Sequence, residues 1–163
     1  MKKILVLLVL FFNLSYATNS LGLSEQDILI LKEIRKLSKD DMMRYSLMAI
    51  AIKESSLGKN PINDVTFDYG MFQSNIKTVI RRENVEDNTQ NREYLSKKLV
   101  NEAGFSAVNA IKEINYWKKV HNNNWGRIWS SYNTGWKYQS VTGAKYANSI
   151  FEIVRRLKYE YKL

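Results

Sequence analysis

Apolar residues recur along this chain at three- and four-residue intervals in segment after segment, and no long alternating run interrupts them. Ser24-Glu25-Gln26-Asp27 has capping-box spacing, and Ile28, Leu31, Ile34 and Leu37 return at helical intervals behind it. Ser38-Lys39-Asp40-Asp41 repeats that start signal and launches a second helix running to Glu54. A short helix is expected after Ser74-Asn75, another from Gln90 to Ala103 with Gly104 as its stop, and a third on the stripe Ala107, Ala110, Ile111, Ile114 and Trp117. Trp125, Ile128, Trp129 and Tyr132 fall at i, i+3, i+4 and i+7, and Tyr146, Ile150, Ile153, Val154, Leu157 and Tyr161 mark the last helix. The long exception is Gly58 to Gln73, which holds Pro61, Asn63-Asp64 and Gly70; it reads as an irregular loop, and Phe67, Tyr69 and Phe72 argue against disorder. The expectation is a single mainly α domain.

The first 17 residues are set aside. Met1-Lys2-Lys3, the apolar run Ile4 to Phe12 and Ser15-Tyr16-Ala17 have the three parts of a secretory signal peptide, too short for a comfortable membrane span. The mature domain is expected to be 18–163, exported to the periplasm or cell wall, with no stable membrane span after cleavage. The chain has no cysteine, so its core forms without disulfides, and about 146 residues suffice for that. The formal charge of +9 falls to about +7 without Lys2 and Lys3. Export argues against nucleic acid as the partner of this charge. Extracytoplasmic polyanions, either anionic lipids or the carboxylate-bearing peptides of the wall, are one explanation, and solubility is the other.

Glu54 is the residue that breaks the pattern. In Leu47 to Gly58, LMAIAIKESSLG, it falls on the stripe of Leu47, Ile50 and Ala51 that faces a core. It also lies in the last helical turn, where the negative end of the helix dipole disfavours a carboxylate. Both effects favour the protonated form, which a general acid needs to protonate a poor leaving group such as a glycosidic oxygen. A Glu on the rim of an ordinary amphipathic helix is the plainer alternative.

Three short elements stand in order: Glu54-Ser55, then Gly70-Met71-Phe72-Gln73, then Tyr132-Asn133-Thr134-Gly135. Together they resemble the E-S, G-x-x-Q and Y-N-x-G pattern of the lysozyme-like lytic transglycosylases of bacterial cell walls. The likeness covers roughly residues 38 to 150. It implies a lysozyme-like single domain with a substrate groove, and peptidoglycan glycan strands as substrate. It further implies that Glu54 is the single catalytic acid, protonating the oxygen between N-acetylmuramic acid and N-acetylglucosamine and then acting as base on the muramic acid 6-hydroxyl. The product would end in a 1,6-anhydro sugar, with the substrate acetamido group in place of a second carboxylate. By the same likeness Ser55 orders Glu54 or contacts a sugar, its other role being a polar residue that closes the helix; Gln73 hydrogen-bonds substrate, Gly70 lets backbone pass close to the groove, Tyr132 lies over Glu54 with its phenol near the acid, and Asn133 binds or positions sugar.

Asp68 complicates this picture, because D-Y-G-x-x-Q is also similar to the segment that carries the second carboxylate of animal-type lysozymes. A retaining hydrolase using Glu54 and Asp68 is therefore an alternative to a transglycosylase in which Asp68 only orders its loop, and so is a wall-binding or secretion-assembly protein that keeps the groove without chemistry. D-Y-G strings also resemble those of specialised transglycosylases that accompany envelope-spanning secretion machines, which would make such a machine a partner. Trp136, just past the Y-N-T-G turn, is the best sugar-stacking candidate, whereas Trp125 and Trp129 read as core. One histidine, His121, and no cysteine leave no pattern for a metal, a cofactor or a Ser-His triad.

Overall fold

The structure is a computed structural model describing residues 21–163; the expected signal segment 1–17 and its processing site near Thr18 lie outside the described residues. Helix α1 spans Glu25–Arg35 and begins with the expected capping box, in which Ser24 Oγ accepts from the Asp27 amide and the Asp27 carboxylate accepts from the Ser24 amide. It stops short of Leu37, which is exposed. Helix α2 spans Asp41–Ser55, and its cap is Asp40 rather than Ser38. The Asp40 carboxylate reaches the Met43 amide at 2.8 Å, while Ser38 Oγ is taken by the Asp40 amide at 3.1 Å.

Every residue from Tyr45 to Ala51 is buried, which makes α2 the central helix of the molecule. It leaves the α form at Ser56 and Leu57, both with positive φ, before Gly58. The region expected to be irregular then contains a small antiparallel sheet, β1 (Ile62–Asn63), β2 (Asp68–Tyr69) and β3 (Ser74–Asn75), in that order. Asn63 pairs with Asp68, and Asp68 with Asn75. Strands of two residues carry no readable alternation, so periodicity could not reveal them.

Helix α3 (Ile76–Glu83) follows directly, then α4 (Thr89–Asn101) and α5 (Ala103–Val120). Gly104 is not a stop: α4 ends at Asn101, and Gly104 lies in the first turn of α5. Glu102, in extended conformation, separates the two helices. Helix α6 (Trp125–Thr134), a 3-10 turn (Gly135–Lys137) and α7 (Val141–Tyr159) complete the fold. Among the described residues, seven α-helices and a minimal sheet make this a mainly α, lysozyme-like domain.

Two apolar clusters hold it together. The larger surrounds α2 with side chains from α1, α5, α6 and α7, including Leu31, Ile114, Ile128, Trp129 and Ile150. Trp129 is buried as expected and donates its indole N–H to Ser46 Oγ at 2.8 Å, satisfying both polar atoms in the core. The smaller cluster joins α3 and α4 through Ile76, Val79, Ile80, Leu95 and Leu99, with Tyr69 and Phe105 against it. The end of α2, the sheet, α3, α5 and α6 meet around one cleft.

Candidate functional site

The cleft has a volume of about 850 Å³, and Glu54 and Asp68 both line it. So do Gln73, Tyr132, Asn133 and Trp136, which brings six of the eight sequence-predicted residues to one surface. Glu54 is half-buried at the end of α2, and its acid is held above the ordinary carboxylate range. Burial is the largest cause. A hydrogen bond from Tyr146 pulls the other way, the negative charge of Asp68 adds to the rise, and Lys53 opposes it.

Tyr146 is the direct partner of Glu54, its hydroxyl donating to Oε1 from α7. Burial and the Glu54 charge hold its phenol proton well above the usual range, so it stays a donor. Sequence reading placed Tyr146 in the core stripe with Ile150 and Ile153, and a tyrosine at helical spacing carries no further signal. Tyr132, expected over Glu54, lines the same cleft and donates its hydroxyl to the Phe72 carbonyl at 2.8 Å. It thereby fixes the backbone one residue before Gln73. Tyr132 remains close enough for the Glu54 charge to raise its own pKa, after the larger effect of burial.

Two expectations are corrected. Ser55 is buried and its hydroxyl is fully engaged: it donates to the Met71 carbonyl at 2.6 Å and accepts from the Gly58 amide at 2.7 Å. It offers no surface to a sugar; it closes α2 and ties that end to the 70–73 turn. Gly70 is buried with φ +82, and a Cβ there would sit 2.4 Å from the Leu99 carbonyl oxygen and 2.6 Å from Ser106 Oγ. The close approach that requires glycine is thus to α4 and α5, not to the cleft.

Gln73 also has a positive φ, and its amide nitrogen donates to the Gly70 carbonyl at 3.0 Å, holding the side chain over the turn. Asp68 sits on β2 and accepts at 2.9 Å from the Asn75 side-chain amide on β3. Among the described residues the other Asp68 carboxylate oxygen has no side-chain hydrogen-bond partner. Trp136 is 67% exposed and packs edge-on against buried Trp117, with ring centroids 5.2 Å apart. Trp117 in turn stacks on His121, whose Nε2 pairs with Ser131 Oγ at 2.8 Å. Burial first, then the positive charge of Arg127, lowers the His121 pKa, which favours the neutral ring. Among the described residues no group of three or more His, Asp or Glu side chains is arranged to hold a metal ion.

On the side of the cleft formed by α3 and α5, Arg82 forms an ion pair with Glu113 and donates to the Asn109 carbonyl at 3.1 Å. Glu113 also accepts from the Trp117 indole. Nothing in the sequence linked these residues, which are about thirty positions apart. The arrangement is a polar groove with one acid whose pKa is raised chiefly by burial, a fixed phenol against it, a second carboxylate on the small sheet, and an exposed indole at the rim.

A family model for the transglycosylase SLT domain matches residues 33–152, taking in Glu54, the 70–73 turn, Tyr132-Asn133 and Tyr146. The uncharacterized 20.7 kDa protein in the vs-regB intergenic region of Enterobacteria phage T4 is 33% identical over 116 residues. That alignment covers 70% of this chain and 62% of the phage protein, so the chain spans less than two thirds of its relative. None of the solved structures matches the chain. With the family model covering most of its length and the cleft residues inside the match, the chain belongs to the transglycosylase SLT domain family.

Proposed function

We propose that the protein is a peptidoglycan lytic transglycosylase that cleaves the bond between N-acetylmuramic acid and N-acetylglucosamine, with Glu54 as its acid and base. The observation that carries this reading is a half-buried, cleft-facing acid of raised pKa whose single side-chain partner among the described residues is a phenol that cannot take its proton. Such an acid is protonated over more of the neutral range than a free glutamate and can protonate the leaving oxygen. Glu54 would then remove the proton of the muramic acid 6-hydroxyl as that oxygen closes on C1, leaving a 1,6-anhydro end. Gln73, Asn133 and Trp136 are the groups available to hold the sugars on either side, and the wall outside the cytoplasm is where such a substrate is met.

A second reading rests on Asp68, which lines the same cleft and acts on Glu54 through its charge. In a retaining hydrolase it would be the nucleophile or charge partner, and water would finish the reaction. Mass spectrometry of the soluble products from purified peptidoglycan separates the possibilities. Anhydro ends support the transglycosylase, reducing ends the hydrolase. An absence of products beside an active control would leave a binding protein.

A further inference from the structure

Four of the charged side chains that line the cleft are accounted for. Glu54 is bonded by Tyr146, Asp68 by Asn75, and Arg82 and Glu113 neutralise each other. Arg81 is the remainder: it lines the cleft, it is exposed, and among the described residues no carboxylate lies within ion-pair distance of it. Thr78, Arg81 and Arg82 fall on neighbouring turns of α3, with Arg82 turned down to α5 and Arg81 left at the solvent edge. An uncharged sugar backbone does not require a free guanidinium in its groove. The negative charge of peptidoglycan resides on the peptide stems, which hang from the lactyl group of muramic acid and must leave a groove at its edge rather than its floor.

Resting on the reading of the cleft as a peptidoglycan groove, we propose that Arg81 is a specificity residue that pairs with a carboxylate of the peptide stem, so that strands bearing stems are preferred to bare glycan. The guanidinium offers two parallel donors that match a carboxylate. Because the pair forms at an exposed rim, its effect is modest and sensitive to salt. It lies away from the reacting bond, so it acts on KM rather than kcat.

The test compares soluble glycan strands carrying their stems with the same strands stripped by an amidase and then amidated at the lactyl carboxylates which that cleavage leaves, so that the stripped strand carries no charge. Binding is measured with Glu54→Gln, and with that variant also carrying Arg81→Gln, by titration calorimetry at low and high salt. The expected result is a preference for stem-bearing strands that Arg81→Gln lowers about three- to tenfold, that Arg81→Lys partly keeps, and that high salt or amidation of the stem carboxylates abolishes. Lys32→Gln, an equal charge change on α1 outside the cleft, should leave the preference in place. Equal loss on both substrates, or no change in preference, overturns the assignment. Because binding is read without turnover, an inactive wild-type protein would count against the lytic reading alone, while the ratio of affinities still decides the role of Arg81.

Discussion

At the scale of single residues, the proposed chemistry turns on how the surroundings of Glu54 divide. Burial and Asp68 favour its protonated form; Tyr146 and Lys53 favour the carboxylate. Two substitutions should therefore move the basic limb of the rate–pH profile in opposite directions. Tyr146→Phe removes a donor that steadies the carboxylate, so the limb should shift to higher pH. Asp68→Asn removes a repelling charge, so it should shift to lower pH. A profile that stays fixed in both variants would mean that Glu54 is not the group titrating. Asp68→Asn also separates the two enzymatic readings, because a nucleophile replaced by an amide should lose nearly all turnover, whereas a neighbouring charge should leave most of it and keep anhydro products. Glu54→Gln should abolish turnover and have a second signature in stability. A carboxyl whose folded pKa is raised weakens the fold as pH rises from its unfolded value of about 4.3 through its folded one, since the native state must then hold a desolvated charge. The amide carries no such charge and can still accept from Tyr146. Melting temperatures of variant and wild type should thus agree near pH 4 and diverge in favour of the variant toward pH 8; a variant less stable at pH 8 would contradict the buried-acid account.

At the scale of elements, the site depends on how the end of α2 is joined to the 70–73 turn. Ser55 makes that joint with two hydrogen bonds, Tyr132 adds a third through the Phe72 carbonyl, and Gly70 packs the turn against α4 and α5. Gly70→Ala should cost about 2–4 kcal/mol, because a methyl would meet the Leu99 carbonyl and Ser106 while the backbone holds a φ that L-residues avoid. Denaturant unfolding would measure it, and a loss below about 0.5 kcal/mol would show that the turn can move aside. The helices that carry the site were readable because their stripes and caps are local signals. The capping box at Ser24 and the stripes of α5 and α6 stand where the spacing put them. Glu54, too, was visible, as a charge on an apolar stripe. Other features were not. Two-residue strands have no period, a tyrosine facing a carboxylate looks like a tyrosine facing a core, and Ser55 reads the same whether its hydroxyl meets sugar or the Met71 carbonyl. Each of these depends on a partner between 5 and 92 positions away, as the bonds of Asp68 and Tyr146 show, and distance along the chain hides it.

At the scale of the whole molecule, the excess of positive charge has no counterpart in the cleft, where the charged side chains of Glu54, Asp68 and Glu113 outnumber Arg81 and Arg82. The basic character lies elsewhere on the surface, as on α7, where Lys145, Arg155, Arg156 and Lys158 face only Glu152 among acidic residues of that helix. No helix among the described residues is long and apolar enough to cross a membrane. The formal charge, +9 for the whole sequence and about +7 without Lys2 and Lys3, offers an attraction toward the carboxylates of a wall, and a Debye length that shrinks from about 10 Å at 0.1 M salt to about 3 Å at 1 M sets how it should fade. Retention of the Glu54→Gln variant on purified peptidoglycan should therefore fall steeply between these concentrations, and it should fall equally when the wall carboxylates are amidated at low salt. Agreement of the two treatments would identify the carboxylates as the partner of the charge. Retention that survives both would assign binding to the groove and leave the surface lysines and arginines to solubility alone.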